Sequence, residues 1–170
     1  MKNIYIGSDH RGFAQISNLK FQISKWGYKI EDLGAPTQPP TPGVGGWVGA
    51  SSAEPIDYPL IAEKVARAVV ADPQSLGILI CGSGQGMCVA ANKIKGVRAG
   101  VGINPEAIRA GREDDHINIL CLSASFVGEQ TNLEIVQAFL DAIPKTDERY
   151  LQRLTQIQRM ENNLKSQISK

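Results

Sequence analysis

A cysteine followed by three closely spaced glycines is the feature of the sequence best suited to chemistry. Leu76–Lys93 reads LGILICGSGQGMCVAANK, so Cys81 follows a short apolar run and precedes an apolar, alanine-rich stretch. This order predicts a buried strand, a glycine loop and a helix. Such a loop lets a ligand approach the backbone, and unpaired N–H groups at the helix start favour both an anion and a neighbouring thiolate. A buried core cysteine before a tight turn would give the same pattern, so both interpretations stay open.

The glycine spacing excludes two common nucleotide-binding motifs. A dinucleotide fingerprint requires G-x-G-x-x-G/A, but counting from Gly82 ends at Met87 and counting from Gly84 ends at Val89. A P-loop requires a Lys-Ser or Lys-Thr pair, which does not follow these glycines. The loop is therefore predicted to bind a small anion rather than NAD or ATP.

Composition predicts one globular domain, residues 1–170, in a reducing, cytoplasmic compartment. Hydrophobic residues make up 42% and charged residues 21% of the chain, and the net charge of +1 gives no case for nucleic acid or a membrane surface as partner. No apolar run reaches the ~20 residues of a membrane span, and the N-terminus does not resemble a signal peptide. The three cysteines form neither a metal-binding spacing nor an even disulfide set.

Short apolar segments alternate with segments of helical periodicity along the chain, which predicts an α/β fold with a doubly wound parallel sheet. The predicted strands are Asn3–Gly7, Tyr28–Leu33, Leu76–Ile80, Val97–Gly102 and Ile117–Leu122. The predicted helices are Phe13–Trp26, Leu60–Val70, the stretch after the glycine loop, Asn104–Arg112, Thr131–Ala142 and a long one over Asp147–Leu164. Gly34–Pro55, with five prolines and five glycines, is predicted to be an irregular excursion within the domain.

In a doubly wound sheet, ligands bind beyond the carboxyl ends of the strands, where the strand order reverses. Ser8–His10 and Cys81–Gly86 both follow predicted strands. Asp9 and His10 are therefore expected to share a pocket with the thiol, although both could instead cap the helix that begins near Gly12.

Three motifs in this order resemble the type B ribose-5-phosphate isomerases, a family that also includes the subunits of galactose-6-phosphate isomerase. They are Gly7-Ser8-Asp9-His10-x-Gly12-Phe13, Asp57-Tyr58-Pro59, and Cys81-Gly82-Ser83-Gly84-x-Gly86 with Ala90-Ala91-Asn92-Lys93. The resemblance extends from Met1 to about Arg159, apart from the excursion. It implies a Rossmann-like three-layer αβα sandwich with a five-stranded parallel sheet. It also implies a homodimer or homotetramer with the active site at the subunit interface, and interconversion of an aldose phosphate and a ketose phosphate through an enediolate, without metal or organic cofactor.

The resemblance also implies roles for individual residues. Cys81 matches the base of the family branch that moves the proton with a thiolate, and Ser83 matches a hydroxyl that shuttles protons to the sugar oxygens. Asp9 resembles a residue that holds sugar hydroxyls, His10 one near the phosphate, and Tyr58 a residue of the pocket wall. The N–H groups of three loop residues would receive the oxyanion: Gly82, Gly84 and Gly86.

Two arginines of the last helix match the phosphate ligands that a neighbouring subunit supplies in the family. Arg149 and Arg153 are four residues apart and therefore lie on one helix face. A guanidinium group suits a phosphate, but such a pair is also common on a solvated helix face.

The sequence departs from the family after Arg112. Asp114 stands where the family has a histidine that helps to open the sugar ring, His116 lies two residues later, and Asn118 matches a family residue. Ser125 occupies the place of a further phosphate-side arginine. Three alternatives stay open: His116 replaces the missing histidine from a shifted loop, Asp114 acts as the acid, or the aid to ring opening is lost.

The main hypothesis is a sugar-phosphate isomerase that uses Cys81. The first alternative is a sugar-phosphate binding protein that has lost catalysis, and another is an isomerase of a six-carbon sugar phosphate. A nucleotide-binding module on the same kind of sheet is disfavoured by the failed glycine fingerprints.

Overall fold

A computed structural model of the protein describes residues 2–34 and 57–168. The strands are β1 (Asn3–Ser8), β2 (Lys29–Asp32), β3 (Leu76–Cys81), β4 (Ala99–Val101) and β5 (Ile119–Ser123). The helices are α1 (Phe13–Lys25), α2 (Tyr58–Ala71), α3 (Gln85–Ala91), α4 (Pro105–Asp114), α5 (Glu129–Asp141) and α6 (Glu148–Ile168). The predicted excursion, Gly34–Pro55, lies outside these residues apart from Gly34, and the single-domain assignment for residues 1–170 stays a prediction.

The strands form one parallel sheet in the order β2-β1-β3-β5-β4, which confirms the predicted doubly wound α/β fold. Every residue of the central strand β3 is buried, as its uncharged apolar sequence predicts. The strand order reverses beside β1, because the chain places β2 on one side of it and β3 on the other. The carboxyl ends of β1 and β3 therefore lie next to each other at a topological switch point.

Two apolar cores, one on each face of the sheet, complete the predicted three-layer αβα sandwich. On one face α1, α4 and α5 cover side chains such as Ile6, Ile78 and Leu120. On the other face α2 and α3 cover side chains such as Leu79 and Cys121. Successive residues of β3 therefore point into different cores, as the two-residue period of a strand requires.

Local sequence signals account for several helix ends. Ile16, Leu19 and Ile23 lie at helical spacing in α1 and are all buried, and Gly27 follows that helix with a φ of +88°. The Asn104 side chain accepts a 2.7 Å hydrogen bond from the N–H of Ala107 and caps α4, as predicted.

The fourth strand is shorter than the predicted Val97–Gly102, because side-chain hydrogen bonds replace strand pairing at its start. Asn118 accepts a 2.8 Å hydrogen bond from the N–H of Arg98, so regular pairing begins at Ala99. The last helix is long, as predicted, and leaves Leu151 and Met160 exposed. Among the described helices, none has the length and apolar character needed to cross a membrane.

Candidate active site

A small pocket opens at the carboxyl edge of the sheet, between the ends of β1 and β3. Its volume is about 190 Å³. The described residues that line it are Asp9, Arg11, Tyr58, Cys81, Gly82, Ser83 and Gly86. The pocket therefore brings together six of the residues that the sequence predicts for the site, from three distant segments of the chain.

Cys81 is the last residue of β3, and its almost fully buried side chain lines the pocket. Its Sγ accepts a hydrogen bond from the backbone N–H of Gly84 at 3.2 Å. Gly84 has a φ of +76°, and a Cβ atom there would lie 3.3 Å from backbone atoms of Cys121 and Leu122. Only glycine fits this turn without strain, so the glycine directs an N–H group at the sulfur.

The backbone of the cysteine loop is fastened to the segment that follows β5. Ala124 donates a 2.9 Å hydrogen bond from its N–H to the carbonyl oxygen of Cys81. The carbonyl oxygen of Gly82 accepts two more at 2.9 Å, from the N–H of Ser125 and from the hydroxyl of Ser123. The residue that replaces an expected arginine, Ser125, therefore supports the loop through its backbone.

Arg11 is a pocket residue that the sequence reasoning missed. A Cβ atom on Gly82 would lie 2.7 Å from Cδ and 2.9 Å from Nη1 of Arg11, so the arginine side chain lies directly against this glycine. Arg11 stands between His10 and Gly12, immediately beyond the carboxyl end of β1. This position could have indicated a role for Arg11, because ligands of such a sheet bind beyond the carboxyl ends of the strands.

Tyr58 and Ser83 occupy the rim of the pocket. A Cβ atom on Gly86 would meet the Tyr58 ring at 3.0 Å, so the absence of a side chain there lets the ring pack on the loop. The hydroxyl of Ser83 accepts a hydrogen bond from the N–H of Gln85 at 3.3 Å, at the start of α3. Both residues carry a hydroxyl group and line the same pocket as Cys81.

Asp9 lines the pocket and also organises the turn before α1. Its Oδ1 accepts hydrogen bonds from the N–H groups of Arg11 at 2.8 Å and Gly12 at 3.3 Å. Asp9 therefore stabilises the turn that leads into α1 and does not cap the helix itself, whose N-cap, Gly12, has no side-chain hydrogen bond. His10 is half-buried beside it and does not line this pocket.

The three cysteines are free thiols, and Cys88 and Cys121 do not line the pocket. A hydrogen bond with Cys121 lowers the pKa of Cys88 to about 7, and the same contact raises the pKa of the buried Cys121. The Cys88 thiol donates to the carbonyl oxygen of Ala99 at 3.3 Å, away from the pocket lining. Within residues 2–34 and 57–168, no group of three or more His, Cys, Asp or Glu side chains is placed to hold a metal ion.

Several predicted residues lie outside the carboxyl-edge pocket of their own chain. Asp114 accepts a 2.7 Å hydrogen bond from Nζ of Lys145, and this contact raises the pKa of Lys145. His116 contacts the carbonyl oxygen of Lys145 through Nε2 at 2.8 Å. Asn118 bonds to the N–H of Arg98 and to the carbonyl oxygen of Gly96. Lys145 therefore offsets the negative charge that Asp114 introduces.

The two arginines of α6 cluster around one tyrosine. The guanidinium carbon of Arg149 lies 4.6 Å, and that of Arg153 5.9 Å, from the centre of the Tyr150 ring. Arg149 also donates a 2.6 Å hydrogen bond to the Tyr150 hydroxyl. The ring holds both cations together on one helix face, and neither arginine lines the pocket of the same chain.

The fold and site define a class of protein: a Rossmann-like αβα domain with a thiol pocket at its switch point. The chain belongs to the Ribose/Galactose Isomerase family, which residues 47–157 match. It is 39% identical over 140 residues to a probable ribose-5-phosphate isomerase B of Mycoplasma pneumoniae, with 82% of each chain covered. It is 34% identical over 142 residues to ribose-5-phosphate isomerase B of Escherichia coli, covering 84% of this chain and 85% of the other.

Solved structures give the same result. The crystal structure of ribose-5-phosphate isomerase B from Mycoplasma genitalium with bound ribulose-5-phosphate superimposes with a TM-score of 0.81 at 35% identity, covering 94% of this chain and 96% of the other. The enzyme of Clostridium thermocellum gives a TM-score of 0.81 at 34% identity, covering 95% of this chain and 99% of the other. The family resemblance found in the sequence is therefore confirmed.

Proposed function

We propose that the protein interconverts an aldose phosphate and a ketose phosphate, of the ribose 5-phosphate to ribulose 5-phosphate type, with Cys81 as the base. The relatives named ribose-5-phosphate isomerase B support the reaction class. The observation that carries the thiol assignment is that Cys81 lines the pocket and that its sulfur accepts a hydrogen bond from the N–H of Gly84. A backbone donor aimed at sulfur stabilises negative charge there.

In the proposed reaction the substrate is an open-chain aldose. The Cys81 thiolate removes the proton from C2, and the electron pair shifts so that an enediolate forms with its charge on O1. The thiol then returns the proton to C1, while the Ser83 hydroxyl carries the O2 proton to O1. Atoms and electrons balance within the sugar, so no oxidant or reductant is required.

Two groups at the pocket stabilise the oxyanion in this proposal. The N–H groups of Gly82 and Gly86, two glycines that line the pocket, would receive the negative charge together with that of Gly84, and the Arg11 guanidinium adds a full positive charge beside Gly82. Preorganised donors and charges of this kind supply a large part of catalysis because they need no reorganisation during the reaction. Asp9 and Tyr58 would hold the sugar hydroxyls, and His10 would lie near the phosphate.

We further propose that a second copy of the chain completes the site in a homodimer or homotetramer. The pocket of one chain, about 190 Å³, is smaller than the roughly 300 Å³ at which small-molecule sites usually begin. Arg149 and Arg153 of the second copy would bind the phosphate, while Asp114, His116 and Asn118 would approach the ring oxygen. The exposed Leu151 and Met160 of α6 offer apolar surface for the contact. With its free thiols, such an enzyme fits a cytoplasmic location.

Turnover of purified protein with ribose 5-phosphate, and with a panel of six-carbon sugar phosphates, tests the proposal. The wild-type protein is expected to isomerise ribose 5-phosphate. Cys81→Ala is expected to lower kcat by about a hundred- to ten-thousand-fold, the usual contribution of a general base. Wild-type turnover by Cys81→Ala would contradict the thiol assignment, and preference for a six-carbon substrate would change the proposed sugar.

The second candidate is a sugar-phosphate binding protein without catalysis, favoured by Asp114 and Ser125 at positions where the family carries functional residues. It predicts measurable affinity for ribose 5-phosphate without exchange of the C2 proton with solvent. The ion pair between Asp114 and Lys145 weakens this alternative, because the added negative charge is already matched within the chain.

A further inference from the structure

A second pocket, larger than the first, lies at the opposite edge of the sheet. Its volume is about 410 Å³, and it is formed where β1, β3, β4 and β5 begin. Lys2, Arg98 and Arg112 contribute positive charge to its wall, and His116 lies beside them. No aspartate or glutamate is among the described residues that line it. The charged side chains that line this pocket are therefore all positive.

The two guanidinium groups are fixed side by side. Arg98 donates a 3.0 Å hydrogen bond from Nε to the carbonyl oxygen of His116, and Arg112 donates one of 2.9 Å from Nη1 to the carbonyl oxygen of Ile117. These acceptors belong to consecutive residues. His116 is the one residue other than glycine with a positive φ, +52°, in the part of the chain that the structure describes. The backbone conformation at His116 thus presents neighbouring carbonyl groups to the two arginines.

The positive charges of this pocket are not balanced by ion pairs. Across residues 2–34 and 57–168, no ion pair within 4.0 Å involves Lys2, Arg98 or Arg112. Arg112 is only 8% exposed, and its Nε is buried without a hydrogen-bond partner among the described residues. A buried charge without a counter-charge is costly, and an anion at this place would relieve that cost.

The protonation equilibria of these residues agree with such repulsion. Burial, and then the charge of Arg98, lower the pKa of Arg112. Burial, and then the charge of Arg112, lower the pKa of Lys2. Burial also lowers the pKa of Arg98, although Glu161 acts in the opposite direction. The Glu161 carboxylate accepts a hydrogen bond from the N–H of Gly96 at 3.2 Å, outside the pocket lining.

We propose that this amino-edge pocket binds a phosphorylated small molecule, with its phosphate held by Lys2, Arg98 and Arg112. Arginine forks match the geometry of phosphate oxygens, and a lysine adds a point charge. The apolar side chains of Val69, Val70 and Pro144 line the same pocket and offer a surface for the organic part. A volume of about 410 Å³ lies within the range of small-molecule sites. Within one chain this site and the thiol pocket share no lining residue, and phosphate binding here goes beyond the proposed isomerase activity.

Thermal unfolding of the full chain in inorganic phosphate, compared with chloride at equal ionic strength, tests the proposal. Wild-type protein is expected to unfold at a higher temperature in phosphate, because a ligand of the native state stabilises it. Lys2→Gln and Arg98→Gln are expected to weaken the apparent phosphate affinity at least about tenfold, as loss of a charged contact does. Lys64→Gln removes an exposed cation outside the pocket and is expected to keep the full effect.

Two further measurements show in which pocket the anion binds and whether an organic group attached to the phosphate strengthens binding. Arg11→Gln, which alters the thiol pocket, is expected to retain the phosphate effect. AMP is expected to bind more tightly than inorganic phosphate, because its organic part reaches the apolar wall. The proposal is overturned if phosphate does not stabilise the wild type, if Lys2→Gln keeps the full effect, or if Arg11→Gln abolishes it. Equal affinity for AMP and inorganic phosphate would overturn the role of the apolar wall. If Arg98→Gln does not fold, the apparent phosphate affinity of Lys2→Gln alone tests the proposal.

Discussion

At the carboxyl edge of the sheet the chain turns tightly around one sulfur atom, whereas at the amino edge it places three cations around a wider cavity. The carboxyl-edge loop, Cys81–Gly86, uses glycines so that the backbone itself approaches a ligand. The amino-edge wall uses long side chains, of which Arg98 and Arg112 are anchored on backbone carbonyl groups. Under the two proposals the difference would separate two tasks: backbone N–H groups would stabilise a charge that develops during a reaction, and guanidinium groups would hold a charge that is already present.

Removing the cation of the carboxyl edge is expected to have the largest effect on substrate binding. Arg11→Gln should raise KM for ribose 5-phosphate by about 10- to 100-fold, because a hydrogen bond to a charged group contributes about 1.5–3 kcal/mol. Steady-state kinetics measure the change. Arg67→Gln, which removes an exposed arginine paired with Glu63, is the matched control and should leave KM unchanged. An unaltered KM in Arg11→Gln would remove Arg11 from the site.

A substitution at the amino edge should instead affect stability. Asn118→Ala removes a 2.8 Å hydrogen bond from the N–H of Arg98 and a 2.9 Å hydrogen bond to the carbonyl oxygen of Gly96. The free energy of unfolding, measured in urea, should fall by about 1–3 kcal/mol because partly buried backbone groups lose their partners.

Asn18→Ala provides the comparison for that experiment. It removes an exposed hydrogen bond to Glu129, and its effect should stay within about 0.5 kcal/mol. If Asn118→Ala unfolds like wild type, the two hydrogen bonds of Asn118 do not stabilise the amino-edge loop.

The smallest effect is expected at Cys88, a thiol that does not line the pocket. Because the Cys121 hydrogen bond lowers the pKa of Cys88 to about 7, the rate at which iodoacetamide alkylates Cys88 should rise through pH 7. A depressed thiol pKa stabilises the folded protein above the unfolded value, 9.0, and this contribution is lost as the pH falls through about 7. Peptide mass spectrometry after alkylation separates Cys88 from the other thiols.

Two variants of Cys121 sharpen this measurement. Cys121→Ala removes the hydrogen-bond donor, so the pH at which the alkylation rate of Cys88 rises should move upward. Cys121→Ser keeps a hydroxyl donor and should hold that pH near 7. An inflection that stays at the same pH in Cys121→Ala would show that the hydrogen bond is not the cause.

The fold could be predicted from the sequence because its signals are local. The uncharged run Leu76–Ile80 forms the buried central strand, and Asn104 caps the helix it precedes. The association of Asp9 with Cys81 also followed, since parallel strands of a doubly wound sheet end at one edge. In each case a pattern of a few residues, or a general rule of topology, was sufficient.

The amino-edge pocket could not be predicted in this way. Lys2, Arg98 and Arg112 are separated by many residues, and only the strand order β2-β1-β3-β5-β4 brings their positions together. Arg11 follows a strand end, which was a signal in the sequence, but residue spacing alone does not show that its side chain lies against Gly82.

Incorporation of solvent deuterium into ribose 5-phosphate and ribulose 5-phosphate tests the central claim, that the Cys81 sulfur moves the proton. Wild-type protein in D₂O should introduce deuterium at C2 of ribose 5-phosphate and at C1 of ribulose 5-phosphate, which NMR detects directly. Cys81→Ala should lose this exchange by about a hundred- to ten-thousand-fold, while Cys88→Ala, which removes a thiol outside the pocket, should retain it. Exchange at the wild-type rate in correctly folded Cys81→Ala would contradict the account.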